Sequence, residues 1–187
     1  GDAGPRVGAG MRGGECLVVG NAGPYAGAEM AGGVLRIFGD AGDGAGAAAP
    51  GGRRGMTGGL LFIAGRAGRE AGGLLRRGTI VVRGPAGDAA GLNMIAGTIV
   101  LCAGAGRAPG MAMKRGTIVA FAPLEMLPTF RDAGVYRPLV LRLLLTRLRA
   151  AYGLPLDPRW ADGAYRRYSG DFNELGKGEI WIWADSG

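Results

Sequence analysis

Leu75-Arg76-Arg77-Gly78-Thr79-Ile80-Val81-Val82, Met94-Ile95-Ala96-Gly97-Thr98-Ile99-Val100-Leu101 and Met113-Lys114-Arg115-Gly116-Thr117-Ile118-Val119-Ala120 are three copies of one phrase. Working outward, the apolar residue three places before the strand glycine falls at Met11, Met30, Met56, Leu75, Met94 and Met113. The spacings are 19, 26, 19, 19 and 19, a period of 19 with one insertion of seven. A fixed period near 20 residues marks a solenoid, whose units bury their apolar faces only by stacking on one another.

Each unit has two halves. The first is a turn segment with an Ala-Gly pair, at Ala3-Gly4, Ala22-Gly23, Ala41-Gly42, Ala67-Gly68 and Ala86-Gly87, where glycine permits positive φ or close approach between stacked backbones. The second is a short strand with period-two alternation, clearest from Gly78 to Gly84. A coil of 19 residues has a perimeter of roughly 60 Å at about 3.3 Å per residue, which closes as a triangle of short strands. The fold class is therefore an all-β solenoid, a parallel β-helix of about 19-residue coils spanning 1–122.

Alternation sorts the strand residues by face. Cys16 and Val18, Leu35 and Ile37, Leu61 and Ile63, Ile80 and Val82, Ile99 and Leu101, Ile118 and Ala120 point inward. The residue between each pair then faces outward: Leu17, Arg36, Phe62, Val81, Val100 and Val119, five of the six apolar. Either these are β-branched and aromatic residues tolerated on an exposed strand, or the stripe is covered, because a free monomer seldom exposes so contiguous an apolar surface. The cover is then the chain's own tail or another subunit. Asp43 to Arg54 holds the insertion, Ala-rich and ending in Gly51-Gly52-Arg53-Arg54. It reads as a loop projecting toward a partner or as a tolerated bulge.

The repeat ends at Ala122, and 123–187 form a capping tail. Tyr136 to Tyr152 reads as one helix, with Leu141, Leu144, Leu145 and Leu148 on one face, Arg142, Thr146 and Arg149 on the other, and Gly153 and Pro155 ending it. A turn-rich stretch from Pro155 to Gly170 follows, then a terminal strand, Glu179 to Trp183. The apolar run from Leu139 to Leu145 contains Arg142, so no segment spans a membrane. The chain opens inside a repeat without an initiator Met, which implies a portion preceding it.

The chain has no histidine, which removes most general-base, triad and zinc arrangements. The repeats hold seven carboxylates, scattered among turns with no convergent pair; neither a catalytic nor a metal site is read. Cys16 and Cys102 lack metal-ligand or CxxC spacing and read as free thiols of a reducing, cytoplasmic compartment. Cys16 falls on the inward set, and Cys102 faces outward with no base nearby. Gly8 to Gly13 matches Gly-x-Gly-x-x-Gly, but a strand follows where a dinucleotide site needs a helix. Gly176-Lys177-Gly178 is not a Walker A sequence.

Of the net charge of +7, the repeats carry 13 basic against 7 acidic residues and the tail 9 against 8. The basic doublets Arg76-Arg77 and Lys114-Arg115 sit two coils apart at equivalent positions. At about 4.8 Å per coil they lie roughly 10 Å apart on one edge, with Ile95 and Ala96 between. The edge suits an extended polyanion, or is simply a solvated charged turn. Tyr25, Phe38, Phe62 and Phe121 form no aromatic ladder on which bases could stack, so nucleic acid is a poorer match.

The repeat resembles the domain shared by the glutamate synthase large subunit and the C subunit of formylmethanofuran dehydrogenase. Leu127-Pro128-Thr129-Phe130-Arg131, Tyr136-Arg137-Pro138, and above all Arg166-Arg167-Tyr168-Ser169-Gly170-Asp171 with Glu174-Leu175-Gly176-Lys177-Gly178-Glu179-Ile180 resemble that C subunit. More specifically, they resemble its form in the formyltransferase/hydrolase complex of methylotrophic bacteria. The resemblance implies a right-handed parallel β-helix in an assembly of four subunit types. There, the reactions belong to an amidohydrolase-like subunit with a metal site and to a formyltransferase-like subunit. In the methanogen relatives a further subunit bears molybdenum or tungsten pterin. It also implies a non-catalytic scaffold for one-carbon metabolism, whose apolar outer face and tail hold the catalytic subunits. Arg76, Arg77, Lys114 and Arg115 then guide the polyglutamyl arm of a methanofuran-type cofactor that this chain does not bind covalently. A glutamate-synthase-type structural domain and a stand-alone polyanion-binding solenoid are the alternatives.

Overall fold

The computed structural model describes residues 1–184. Six strands come from six successive coils: β1 (Arg12–Val18), β2 (Ala31–Ile37), β3 (Thr57–Ile63), β4 (Arg77–Val82), β5 (Thr98–Leu101) and β6 (Arg115–Ala120). Each pairs in parallel with the next, as a parallel β-helix requires. On a second side of the coil Ala3, Ala22, Ala41, Ala67, Ala86 and Ala105 bridge one another in parallel. The glycine after each alanine is there for close approach. A Cβ on Gly42 would lie 2.7 Å from Pro24 N, and one on Gly68 2.6 Å from Asp43 N.

The inward set forms the core. Leu35, Ile37, Leu61, Ile63, Ile80, Val82, Ile99, Leu101, Ile118 and Ala120 are fully buried together with Met30, Met56, Leu75, Met94 and Met113. Aliphatic and thioether side chains thus fill the solenoid bore coil by coil.

The tail closes one end of the stack. β7 (Arg131–Tyr136), α1 (Leu139–Tyr152), α2 (Arg159–Asp162), β8 (Ala164–Gly170) and β9 (Lys177–Ala184) follow the coils. β9 adds to β6 in parallel, and β8 and β7 continue the sheet antiparallel, in the order β1-β2-β3-β4-β5-β6-β9-β8-β7. The exposed edge of β6 is thereby paired. The helix begins three residues later than its apolar pattern suggests, because Tyr136 pairs with Tyr165 in the β7–β8 ladder. Pro138, extended at φ −74° and ψ 119°, makes the turn into it. Gly153 ends it at φ 62° with its N–H on Leu148 O, the left-handed stop expected of glycine. The stretch from Pro155 to Gly170 is not merely turns: it holds α2 and β8. Charged Arg166 and Arg167 disguise β8, which lies between β7 and β9 with only Tyr165 and Gly170 buried.

The outer stripe is covered by the chain itself. Phe62, Val81, Val100 and Val119 pack with Leu141, Leu145 and Leu148 of α1 and with Leu154, Leu156, Tyr165 and Trp181 in a second apolar cluster. The expectation that this face holds catalytic subunits is corrected here: α1 occupies it, because its Leu141-Leu145-Leu148 face matches a stripe of the same chain. Arg36, the polar exception, pairs with Glu15 at 2.6 Å and donates to Tyr152 O at 2.8 Å. It thus neutralises the carbonyl end of the helix. Beyond it Leu17 is 55% exposed.

The insertion is not all loop. Ala45, Ala47 and Ala49 are buried, and Ala48 N–H bonds Gly73 O in the next coil. Small side chains let this half stay in the stack. Pro50, Gly51, Arg53 and Arg54 are exposed.

Candidate functional site

The basic edge runs along the start of the strands. Arg76, Arg77, Lys114 and Arg115 are all exposed. Arg76, Arg77 and Arg115 line a groove of about 400 Å³ whose floor includes Thr57, Ile95 and Ala96. Lys114 is turned aside, its Nζ 3.9 Å from Glu174 Oε2. Arg76, Arg77 and Arg115 form no ion pair with the described residues. Two further cations belong to this edge and were missed in the sequence. Lys177 sits in register with Arg115 at the start of β9, and Lys177-Gly178 repeats the Arg115-Gly116 pattern that could have revealed it. Arg12 follows Met11 as Arg76 follows Leu75.

The aspartates of the repeats are structural rungs. Asp2 Oδ1 accepts Asn21 N–H at 2.7 Å, Asn21 Oδ1 accepts Asp40 N–H at 2.8 Å, and Asp40 Oδ1 accepts Arg66 N–H at 2.7 Å. Asp43 and Asp88 do the same for Arg69 and Arg107. Among the described residues no three His, Cys, Asp or Glu side chains gather as metal ligands. Cys16 packs against the core and Cys102 against the cluster under α1. Burial pushes the Cys102 thiol up to about 12, so it stays protonated near neutrality and is a poor nucleophile. No helix among the described residues is long and apolar enough to cross a membrane.

One rung and two tail aspartates give the fold an acid limit. The Arg107 guanidinium and N–H hold Asp88 below its ordinary 3.8. The Gly134 N–H, then Arg166, does so for Asp132, and Arg159 for Asp157. A depressed folded pKa contributes stability above the unfolded value, and that contribution is lost as pH falls through the lower folded value. Melting temperature should therefore drop once pH passes below 3.8, and the drop should be shallower in Asp88→Asn. Thermal melts from about pH 6 to about pH 2 measure it; an identical pH profile in the variant would remove Asp88 from the explanation.

The tail motif that carries the resemblance braces the tail strands against one another and, through Asp171, ties them to the last coil. Arg166 pairs with Asp132 at 2.6 Å, joining β8 to β7. Arg167 pairs with Glu179 on β9 and lies 5.6 Å over the Trp181 ring. Buried Asp171 accepts N–H bonds from Ala112 in the last coil, at 3.1 Å, and from Asn173, at 2.9 Å.

No protein-family model and no curated protein matches this chain. Among solved structures it is similar to a chain in the X-ray crystal structure of the formyltransferase/hydrolase complex from Methylorubrum extorquens in complex with methylofuran. The two share 43% identity over 98% of this chain and 68% of that one, with a TM-score of 0.90. That identity over coils and tail together is more than a shared fold: this chain belongs to the C-subunit family of formylmethanofuran dehydrogenase, in the form found in the formyltransferase/hydrolase complex.

Proposed function

We propose that this chain is a rigid, non-catalytic spacer within a cytoplasmic formyltransferase/hydrolase-type complex of one-carbon metabolism. Its coils, 1–122, serve as the rod and its tail, 123–187, as the clamp. It holds amidohydrolase-like and formyltransferase-like subunits at a fixed separation, and its basic edge retains the polyglutamyl arm of a methanofuran-type cofactor between them. The observation that carries the reading is the likeness to a chain of such a complex over both coils and tail. The side-chain rungs between successive coils support rigidity. With α1 lying on the apolar stripe, one apolar surface open to partner subunits is the other side of that helix, where Leu139, Val140 and Leu143 are exposed. A retained carrier reaches a second active site at the effective concentration of its tether, without escape to bulk.

The test is native mass spectrometry of the complex carrying Arg76→Gln, Arg77→Gln, Lys114→Gln and Arg115→Gln. The set of subunits recovered should match the wild type. Cofactor should be lost about tenfold more readily, at roughly 0.5 kcal/mol for each of the three arginines that line the groove. Unchanged retention would sink the guiding role. Recovery of the wild-type chain as a lone monomer that binds polyanions would sink the spacer role and favour a stand-alone binding module.

A further inference from the structure

The seven-residue insertion returns to the stack through Arg53 and Arg54, beside Arg12 of the first coil. The three guanidinium groups line a groove of about 520 Å³ together with Glu29 and Thr57. The loop is held in place. Gly52 N–H bonds Ala49 O at 2.7 Å, and Glu29 Oε1 accepts Ala49 N–H at 3.3 Å. Glu29 is thus turned to the loop backbone, and Arg12, Arg53 and Arg54 make no ion pair with the described residues. With three guanidinium groups against the single Glu29 carboxylate, the groove keeps a net positive charge that attracts an anion, and the planar guanidinium fork matches a carboxylate with paired N–H donors.

Thr57 lines this groove and also the groove of Arg76, Arg77 and Arg115. The two therefore adjoin at Thr57 on one edge. Arg12 and Arg76 occupy equivalent positions three coils apart, about 14 Å at about 4.8 Å per coil. We infer that the insertion builds a second anion-binding groove, which takes the far end of an extended oligocarboxylate whose near end lies on Arg76, Arg77 and Arg115. The oligocarboxylate identity rests on the reading of the edge given above. The groove itself rests on Arg12, Arg53 and Arg54.

Calorimetry on the full chain tests this with two synthetic probes. An oligoglutamate of about ten residues reaches about 33 Å extended and covers both grooves; one of about three residues reaches about 10 Å and covers one. Arg53 and Arg54 are exposed loop residues, so Arg53→Gln/Arg54→Gln should melt as the wild type does. The long probe should bind this variant about tenfold more weakly, with a smaller dependence on salt. The short probe should fall from two equivalents per chain to one. Wild-type binding of the long probe by this variant overturns the second groove. Weakening by Arg53→Gln/Arg54→Gln with no effect of Arg76→Gln/Arg77→Gln keeps this groove as an anion site but overturns its continuity and the cofactor-edge reading. Inorganic triphosphate binding more tightly than an oligoglutamate of equal charge overturns the carboxylate assignment in favour of phosphate.

Discussion

Leu145→Ala should lower the unfolding free energy by about 2–5 kcal/mol, the cost of removing a buried leucine and leaving a cavity. Leu145 is 1% exposed, at the middle of the α1 face that lies on Phe62, Val81, Val100 and Val119. Truncation opens the middle of the apolar cover that keeps the outer stripe from solvent. Urea unfolding with a hydrophobic dye present reads both effects: a lower midpoint, and dye binding at urea concentrations where the solenoid is still folded. Leu143→Ala is the control. That side chain is 62% exposed on the opposite side of the helix, and its loss should change stability by less than about 0.5 kcal/mol. If Leu145→Ala costs less than about 1 kcal/mol, α1 does not seal the stripe, and a partner protein regains its claim to that face.

Gly68→Val should yield no soluble folded protein. The added Cβ would lie 2.6 Å from Asp43 N and 2.7 Å from Gly42 C. Both are backbone atoms of the previous coil, so no rotamer change relieves the clash. Relief requires parting the coils, which breaks the Gly68 N–H bond to Ala41 O at 2.9 Å and the Arg69 N–H bond to Asp43 Oδ1 at 2.7 Å. Overpacking of about 1–3 kcal/mol and two hydrogen bonds of about 1 kcal/mol each already approach the whole stability of an ordinary domain. In a stack where each coil contacts only its neighbours, a central break divides the molecule. Soluble yield and circular dichroism provide the measurement. Gly73→Ala, whose Cβ would meet Glu70 O at 3.3 Å and Ala47 Cβ at 3.4 Å, should remain folded. A Gly68→Val protein that melts with the wild type would falsify the close-contact role of the Ala-Gly pair.

The candidate site was only half legible. Arg76-Arg77 and Lys114-Arg115 stand out because they repeat in register, and the edge they share follows from the period alone. That Glu174 draws Lys114 aside does not, since Glu174 reaches the edge only through the tail's return. Arg53 and Arg54 carry no period at all. Their position beside Arg12 depends on how the insertion re-enters the stack.

The sequence by itself determined the coil, its period, the residues that fill the bore and the alanine-glycine turn. Each is a local pattern repeated in an identical environment, so every copy reinforces the same reading. Only the tertiary structure decided what covers the outer stripe. The answer lies in contacts such as Arg36 to Tyr152 O, 116 residues apart, and in two tail strands whose charged residues hide their alternation. Packing between a repeat and a non-repeating tail obeys shape and burial over long sequence separations, and no periodicity records it.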